Sequence, residues 1–163
     1  MRYYLDTEFI DLPPRIYPLS IGIVAEDGRE YYAEYAETDQ QLACPWVRQH
    51  VLPQLTGPVK TRFEIQEDLI QFVGDDVPAF WGWFPAYDWV VLCQTFGRMV
   101  DGLPPHWPNR PNDLVQKMIQ TGVRRGAIPQ EPEGRHHALA DARWCKVVDD
   151  FLEFVRERVK EED

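Results

Sequence analysis

Positive charge is scarce in this chain. Its 163 residues carry 17 Lys and Arg against 27 Asp and Glu, a formal net charge of −10 at pH 7. That balance excludes a protein that coats long nucleic acid by neutralising phosphates along its length. It leaves room for a compact site that attracts cations, or for a short anionic substrate brought in by metal ions. Cysteine is nearly absent: Cys44, Cys93 and Cys145 occur without any CxxC pairing. Neither a disulfide framework nor a zinc site is suggested, and reduced, mostly buried thiols in a cytoplasmic protein are expected. No basic-then-apolar leader and no apolar run near ~18 residues occurs, so neither a secreted nor a membrane-spanning protein is expected. Core material, by contrast, is plentiful. Apolar residues make up 44% and aromatics 13%, enough for one domain over residues 1–163 and too much for a disordered chain.

The opening stretch "RYYLDTEFIDL" reads as a strand. After the breaker-rich "PPRIYP", "LSIGIVAEDGREYYAEYA" reads as a hairpin turning at Asp27-Gly28, which gives a three-stranded antiparallel start. Residues 40–55 and 61–75 have helical character, the second with Ile65, Leu69, Phe72 and Val73 at core spacing. "VPAFWGWF" reads as a buried strand, followed by a helix from near Pro85 through "AYDWVVLCQTFGRM". A proline-rich loop leads to Asn112 or Asp113, either able to cap a helix ending near Gly122. Residues 122–135 read as a loop. The last helix, from about His137 to Glu161, sets Trp144, Val148, Phe151, Val155 and Val159 along one stripe. Strands first, then alternating helix and strand, imply an α/β domain with a mixed sheet.

Carboxylates stand where packing alone gives little reason for them. Strand side chains alternate, so Asp6 and Glu8 share a face about 6–7 Å apart and repel unless something positive lies between them. Asp88 falls in the first turn of a helix with apolar and aromatic neighbours, where the helix dipole also favours an acid. Asp141 sits inside the final helix with Ala138, Cys145 and Val148 on its buried side, a costly place for a lone charge. His136 and His137 stand just ahead of it, two of the chain's four histidines.

Taken in order, D-x-E in the first strand, Asp88, and H-x4-D near the end resemble the DEDDh 3′–5′ exonuclease superfamily. That superfamily contains the proofreading exonucleases, RNase T and oligoribonuclease. "YLDTEF" and "HHALADA" match its first and third motifs. "WGWFPAYD" departs from the second, where an asparagine often precedes the Phe/Tyr-Asp pair. The resemblance covers residues 3 to about 155, and the small size and aromatic second motif look most like the compact mycobacterial-type exoribonucleases. It implies a ribonuclease H-like fold with a mixed five-stranded sheet, three antiparallel strands then parallel ones, flanked by helices. It also implies two divalent cations, Mg²⁺ or Mn²⁺, held about 3.5–4 Å apart by Asp6, Glu8, Asp88 and Asp141. In that scheme Asp6 bridges both ions, and Glu8 and Asp141 hold the one that activates water. Asp88 helps hold the other, and His136 is the general base. His137 occupies a position that varies in the family and reads as flanking. His50 and His106 read as structural or exposed, and Asp11 as a loop carboxylate beyond the motif.

For substrate, the resemblance points to Phe9 packing on the terminal base, the main-chain amides near Thr7 and Glu8 contacting the terminal ribose, and Tyr87 among the aromatics near the site. Most of Trp81, Trp83 and Trp89 read as core. Residues 110–143 hold six basic and four acidic side chains, leaving that stretch at +2 and the remainder at −12. Arg124 and Arg125 are its candidates for phosphate contact. The expected activity is 3′–5′ exoribonuclease, releasing nucleoside 5′-monophosphates from single-stranded RNA 3′ ends. A DNA exonuclease and a catalytically silent 3′-end-binding module are the alternatives. A homodimer is a further implication of the resemblance.

Overall fold

The computed structural model describes residues 1–131 and 135–162, the side chains of 159–162 excepted, so Val159's place in the stripe lies outside the described residues. Strands β1 (Arg2–Leu12), β2 (Arg15–Ala25) and β3 (Glu30–Tyr35) form the antiparallel start, with Ala25 and Gly28 closing the hairpin turn. Gly28 takes φ +91°, a conformation glycine reaches without penalty. β5 (Ala79–Gly82) then runs parallel to β1, and β6 (Asn112–Asp113) parallel to β5. Among the described residues the sheet has six strands, not five. The two-residue β4 (Val59–Lys60) adds itself parallel to β3, giving the order β4-β3-β2-β1-β5-β6. A segment that short carries no period to read. The architecture is consistent with the ribonuclease H-like expectation.

The helices are α1 (Pro45–His50), α2 (Arg62–Val73), α3 (Ala86–Phe96), α4 (Leu114–Gln120) and α5 (Ala138–Glu162). Residues 40–55 are not one helix but α1 between two short 3-10 turns. Pro45 and Pro53 start new segments because neither can donate a backbone hydrogen bond. α2 opens with a reciprocal capping box between Thr61 and Glu64. α3 stops at Phe96, short of the expected Met99, because Gly97 takes φ +110°. Asp113 caps α4 by accepting from the Val115 amide. β5 is shorter than expected: at Phe84 (φ +54°) the chain already turns toward α3.

Alternation along β1 divides the core. Tyr3 and Leu5 face α2 and α3, joining Ile21, Ile65, Leu69, Phe80 and Leu92. Tyr4 faces α4 and α5, joining Val24, Leu114, Ala142, Cys145, Val148 and Leu152. The expected stripe on α5 is found in Trp144 and Val148, with Cys145 and Leu152 fully buried beside them. A third cluster of Ile10, Leu19, Ala43, Val47 and Val51 seats α1 against the far end of β1. Among the described residues no helix is long and apolar enough to cross a membrane.

Candidate active site

β1 and β5 run parallel and both end at one cleft of about 460 Å³, the place where open α/β sheets usually take ligands. Asp6 and Glu8 reach it from the α5 face of β1. Asp141 meets them from the first turn of α5. One carboxylate oxygen from each of the three lies within 4.8 Å of the others.

That approach depends on a residue sequence reasoning passed over. Gly22 on β2 pairs with Asp6 across the ladder. A Cβ there would stand 2.3 Å from the Leu139 nitrogen and 2.4 Å from the Ala138 carbonyl carbon. Only a bare backbone lets α5 start on top of the sheet. A glycine amid the β-branched run "SIGIVA" was the available signal for such a close approach.

Asp88 arrives from the other side of β1. Its Oδ1 accepts from both the Thr7 amide (2.9 Å) and the Thr7 hydroxyl (2.7 Å). Thr7 is therefore a buried support for Asp88, and its amide is committed there rather than free for a ribose. Gly82 allows the same kind of close turn into α3: a Cβ would meet Pro85 Cβ at 2.8 Å and the Leu5 carbonyl at 2.9 Å.

The electrostatics follow from this crowding. Loss of solvent, then the neighbouring carboxylates, hold Asp6 well above the ordinary range. The same causes push Glu8 up to about 8. Burial raises Asp88 to about 6 even though Thr7's donors pull the other way. Asp141 is raised by burial and partly relieved by the His136 amide. Among the described residues no lysine or arginine forms an ion pair with any of the four. Such a set of oxygen donors, short of positive charge, fits hard divalent cations.

His136 has φ +69° and donates its backbone N–H to Asp141 Oδ2 at 2.9 Å. Its ring meets Trp46 edge-on at 4.8 Å and lies 6.4 Å from His50. Burial, then Arg135 and His50, lower its pKa. Across the cleft Phe9 and Tyr87 stack at 5.4 Å and 9°. Phe84, 61% exposed, stands at the rim.

A family model described as a 3′–5′ exoribonuclease Rv2179c-like domain matches residues 1–152. This chain belongs to that family. Two Mycobacterium tuberculosis relatives are the 3′–5′ exoribonuclease Rv2179c of strain H37Rv and the 3′–5′ exoribonuclease MT2234.1 of strain CDC 1551. Each is 45% identical over 150 residues, covering 88% of this chain and 88% of its own.

Within this Rv2179c-like domain several expected placements change. Asp11 is a strand residue that lines the cleft rather than a loop carboxylate. His50 stands on α1 beside the His136 ring, while His106 is exposed. Cys44 is exposed and lines the cleft, whereas Cys93 and Cys145 are buried. Arg124 and Arg125 do not line the cleft. Arg125 instead lies over the Trp83 ring at 5.0 Å and pairs with Glu131 at 3.4 Å. Among the described residues the arginine that does line it is Arg135, which also pairs with Glu131, at 2.8 Å. The α1 wall, led by Trp46, was missed because a six-residue helix broken by prolines carries too little pattern to be assigned a face. The aromatics flanking Asp88 divide as expected: Trp89 is buried, and Trp81 and Trp83 pack partly buried on the α5-side core.

Proposed function

We propose that this chain is a divalent-metal-dependent 3′–5′ exoribonuclease that releases nucleoside 5′-monophosphates from single-stranded RNA. The observation that carries this reading is the convergence of Asp6, Glu8 and Asp141 within 4.8 Å, with Asp88 held beside them through Thr7. The family names of the relatives supply the direction and the RNA substrate.

Asp6, Glu8 and Asp141 would hold the cations from the α5 side, with Asp88 offering its second oxygen from the α3 side. Two Mg²⁺ or Mn²⁺ ions held there would supply charge neutralisation for hydrolysis of the phosphodiester. His136 accepts the proton of the attacking water. Its lowered pKa keeps the ring neutral near physiological pH, the form that can take a proton. Phe9 and Tyr87 form a stacked platform for the terminal base, a grip that tolerates any base. Arg135 lines the cleft with its side chain more than half exposed, and its role is to exchange Glu131 for a backbone phosphate. The same reading assigns one catalytic domain acting in the cytoplasm, as a homodimer whose second copy adds basic side chains to an acidic subunit.

The test uses single-stranded RNA and DNA labelled at the 3′ or the 5′ end, with Mg²⁺ or Mn²⁺. The wild-type chain releases 3′-terminal nucleotides from RNA, and Asp6→Ala abolishes release. Turnover that survives Asp6→Ala, or release from the 5′ end, refutes the reading. Faster cleavage of DNA than RNA replaces the substrate assignment.

A further inference from the structure

His137, read from sequence as a flanking residue, has its ring fixed against the sheet. Its ring lies flat on Tyr32, with centroids 4.4 Å apart and planes 18° from parallel. Tyr32 stands on β3 directly across from Gly22, the bare position over which α5 begins. The phenol is itself fixed. Its hydroxyl donates to Glu34 Oε1 at 3.1 Å, and that same oxygen accepts the Gly57 amide at 2.6 Å. Gly57 backbone presses against the ring: a Cβ there would stand 2.2 Å from Tyr32 Cε1. Glu34 is buried, 6% exposed. The sheet thus offers a rigid aromatic shelf under the residue that follows His136.

That matters because His136 sits in a backbone conformation that non-glycine residues avoid, at φ +69°. Such a conformation persists only where its surroundings over-determine it. One restraint is the His136 amide bound to Asp141 Oδ2. A second is the His137 carbonyl, which accepts the Asp141 amide at 3.0 Å. Both bonds end on Asp141 and so tie the segment to α5 alone; the His137 ring on Tyr32 ties it to the sheet as well.

We propose that His137 is a positioning residue. Stacked on Tyr32, it locks His136 in the left-handed conformation that turns the His136 imidazole into the cleft beside Trp46. The proposal rests on His136 acting as the general base, and the experiment separates the two claims. His137→Ala is expected to lower kcat about tenfold, since small displacements of an aligned catalytic group are costly. KM and the metal concentration for half-maximal rate stay within about twofold, because no substrate or cation contact is lost. His137→Phe keeps a flat ring and carries no proton, so it restores most of kcat. Tyr32→Leu reproduces the His137→Ala defect from the other side of the stack. In the His136→Ala background, His137→Ala costs nothing further, the mark of two residues acting as a unit.

A purely structural role would lower the thermal midpoint and the active fraction in every background, His136→Ala included. His137→Ala with wild-type kcat, or His137→Phe as poor as His137→Ala, overturns the positioning role. Full activity in His136→Ala removes the base assignment itself, and the positioning role with it.

Discussion

Gly22→Ala adds a single methyl group some distance from any reacting atom, yet it should disable the site. The new Cβ would stand 2.3 Å from the Leu139 nitrogen and 2.5 Å from the Ala138 oxygen, where ordinary contact begins at 3.4 Å. Something must retreat by about 1.1 Å, the difference between 2.3 and 3.4 Å. β2 is hydrogen-bonded to β1 on one side and β3 on the other, so the start of α5 is the softer partner. Asp141 moves with it, away from the 4.8 Å cluster with Asp6 and Glu8. A displacement near 1 Å costs on the order of 10²-fold in rate when catalytic groups must align. Overpacking of this kind costs about 1–3 kcal/mol of stability, which leaves a folded protein to assay. Initial rates on 3′-labelled RNA across a Mn²⁺ titration should show a lower kcat and a weaker metal requirement curve. Circular dichroism and a thermal melt confirm folding. Gly126→Ala, where a Cβ meets nothing within 4 Å, is the matched control. A folded Gly22→Ala protein with unchanged kcat and metal midpoint refutes the claim that α5's close approach sets the ligand geometry.

Two further outcomes follow from the cleft. Glu8 ionises near 4.5 in the unfolded chain but only at about 8 when folded, so the native state keeps a proton that the unfolded state has released. Stability of the metal-free protein should therefore fall as pH rises from about 4.5 to about 8, Asp88 contributing over the lower part of that window. Added Mg²⁺ should raise the melting temperature more at pH 8 than at pH 5, and a pH-independent shift contradicts the carboxylate assignment. Tyr87→Ala should raise KM for RNA roughly 5- to 150-fold, the equivalent of one base stack at about 1–3 kcal/mol, with a smaller change in kcat. An unchanged KM means the Phe9–Tyr87 platform does not touch the substrate.

The carboxylate frame could be read from the chain because each part of it obeys a short-range rule. Asp6 and Glu8 share a face by strand alternation, and Asp141 stands one turn from Ala138 and Cys145, both buried. What could not be read depends on which backbone passes over which. The α1 wall with Trp46 and His50 comes from a helix broken by Pro45 and Pro53, too short to show a face. Thr7 looked available to substrate because nothing local says that Asp88, 81 residues away, takes both its donors. Arg124 and Arg125 looked like phosphate ligands by charge alone, while Arg125 spends its guanidinium on Trp83 and Glu131. For Thr7 and Arg125 the missing information was a long-range partner, Asp88 in one case and Trp83 in the other.

One such partner supplies an internal comparison for the site. α5 crosses β1 with two aspartates on its inner side, Asp141 and Asp149, separated by eight residues or about 12 Å of helix rise. Each meets β1, Asp149 near Arg2 and Tyr4, Asp141 near Asp6 and Glu8, so the chains run in opposite directions. Asp149 is completely buried, and it is provided for from within. Arg2 donates to it at 2.8 Å, the Tyr4 hydroxyl at 2.7 Å, and Lys117 from α4 closes the group. Buried charge on this face is thus tolerated where cations and donors surround it. At the other end of the same helix the neighbours are two more carboxylates, and no basic side chain among the described residues pairs with them. Asp141 is only partly buried where Asp149 is fully so, yet it is the less buried end that lacks a cation, and the difference that decides is the sign of what stands opposite. An aspartate matched by Arg2 and Lys117 holds the helix down; an aspartate matched by Asp6 and Glu8 leaves the cluster to keep its protons or to take positive charge from outside the chain.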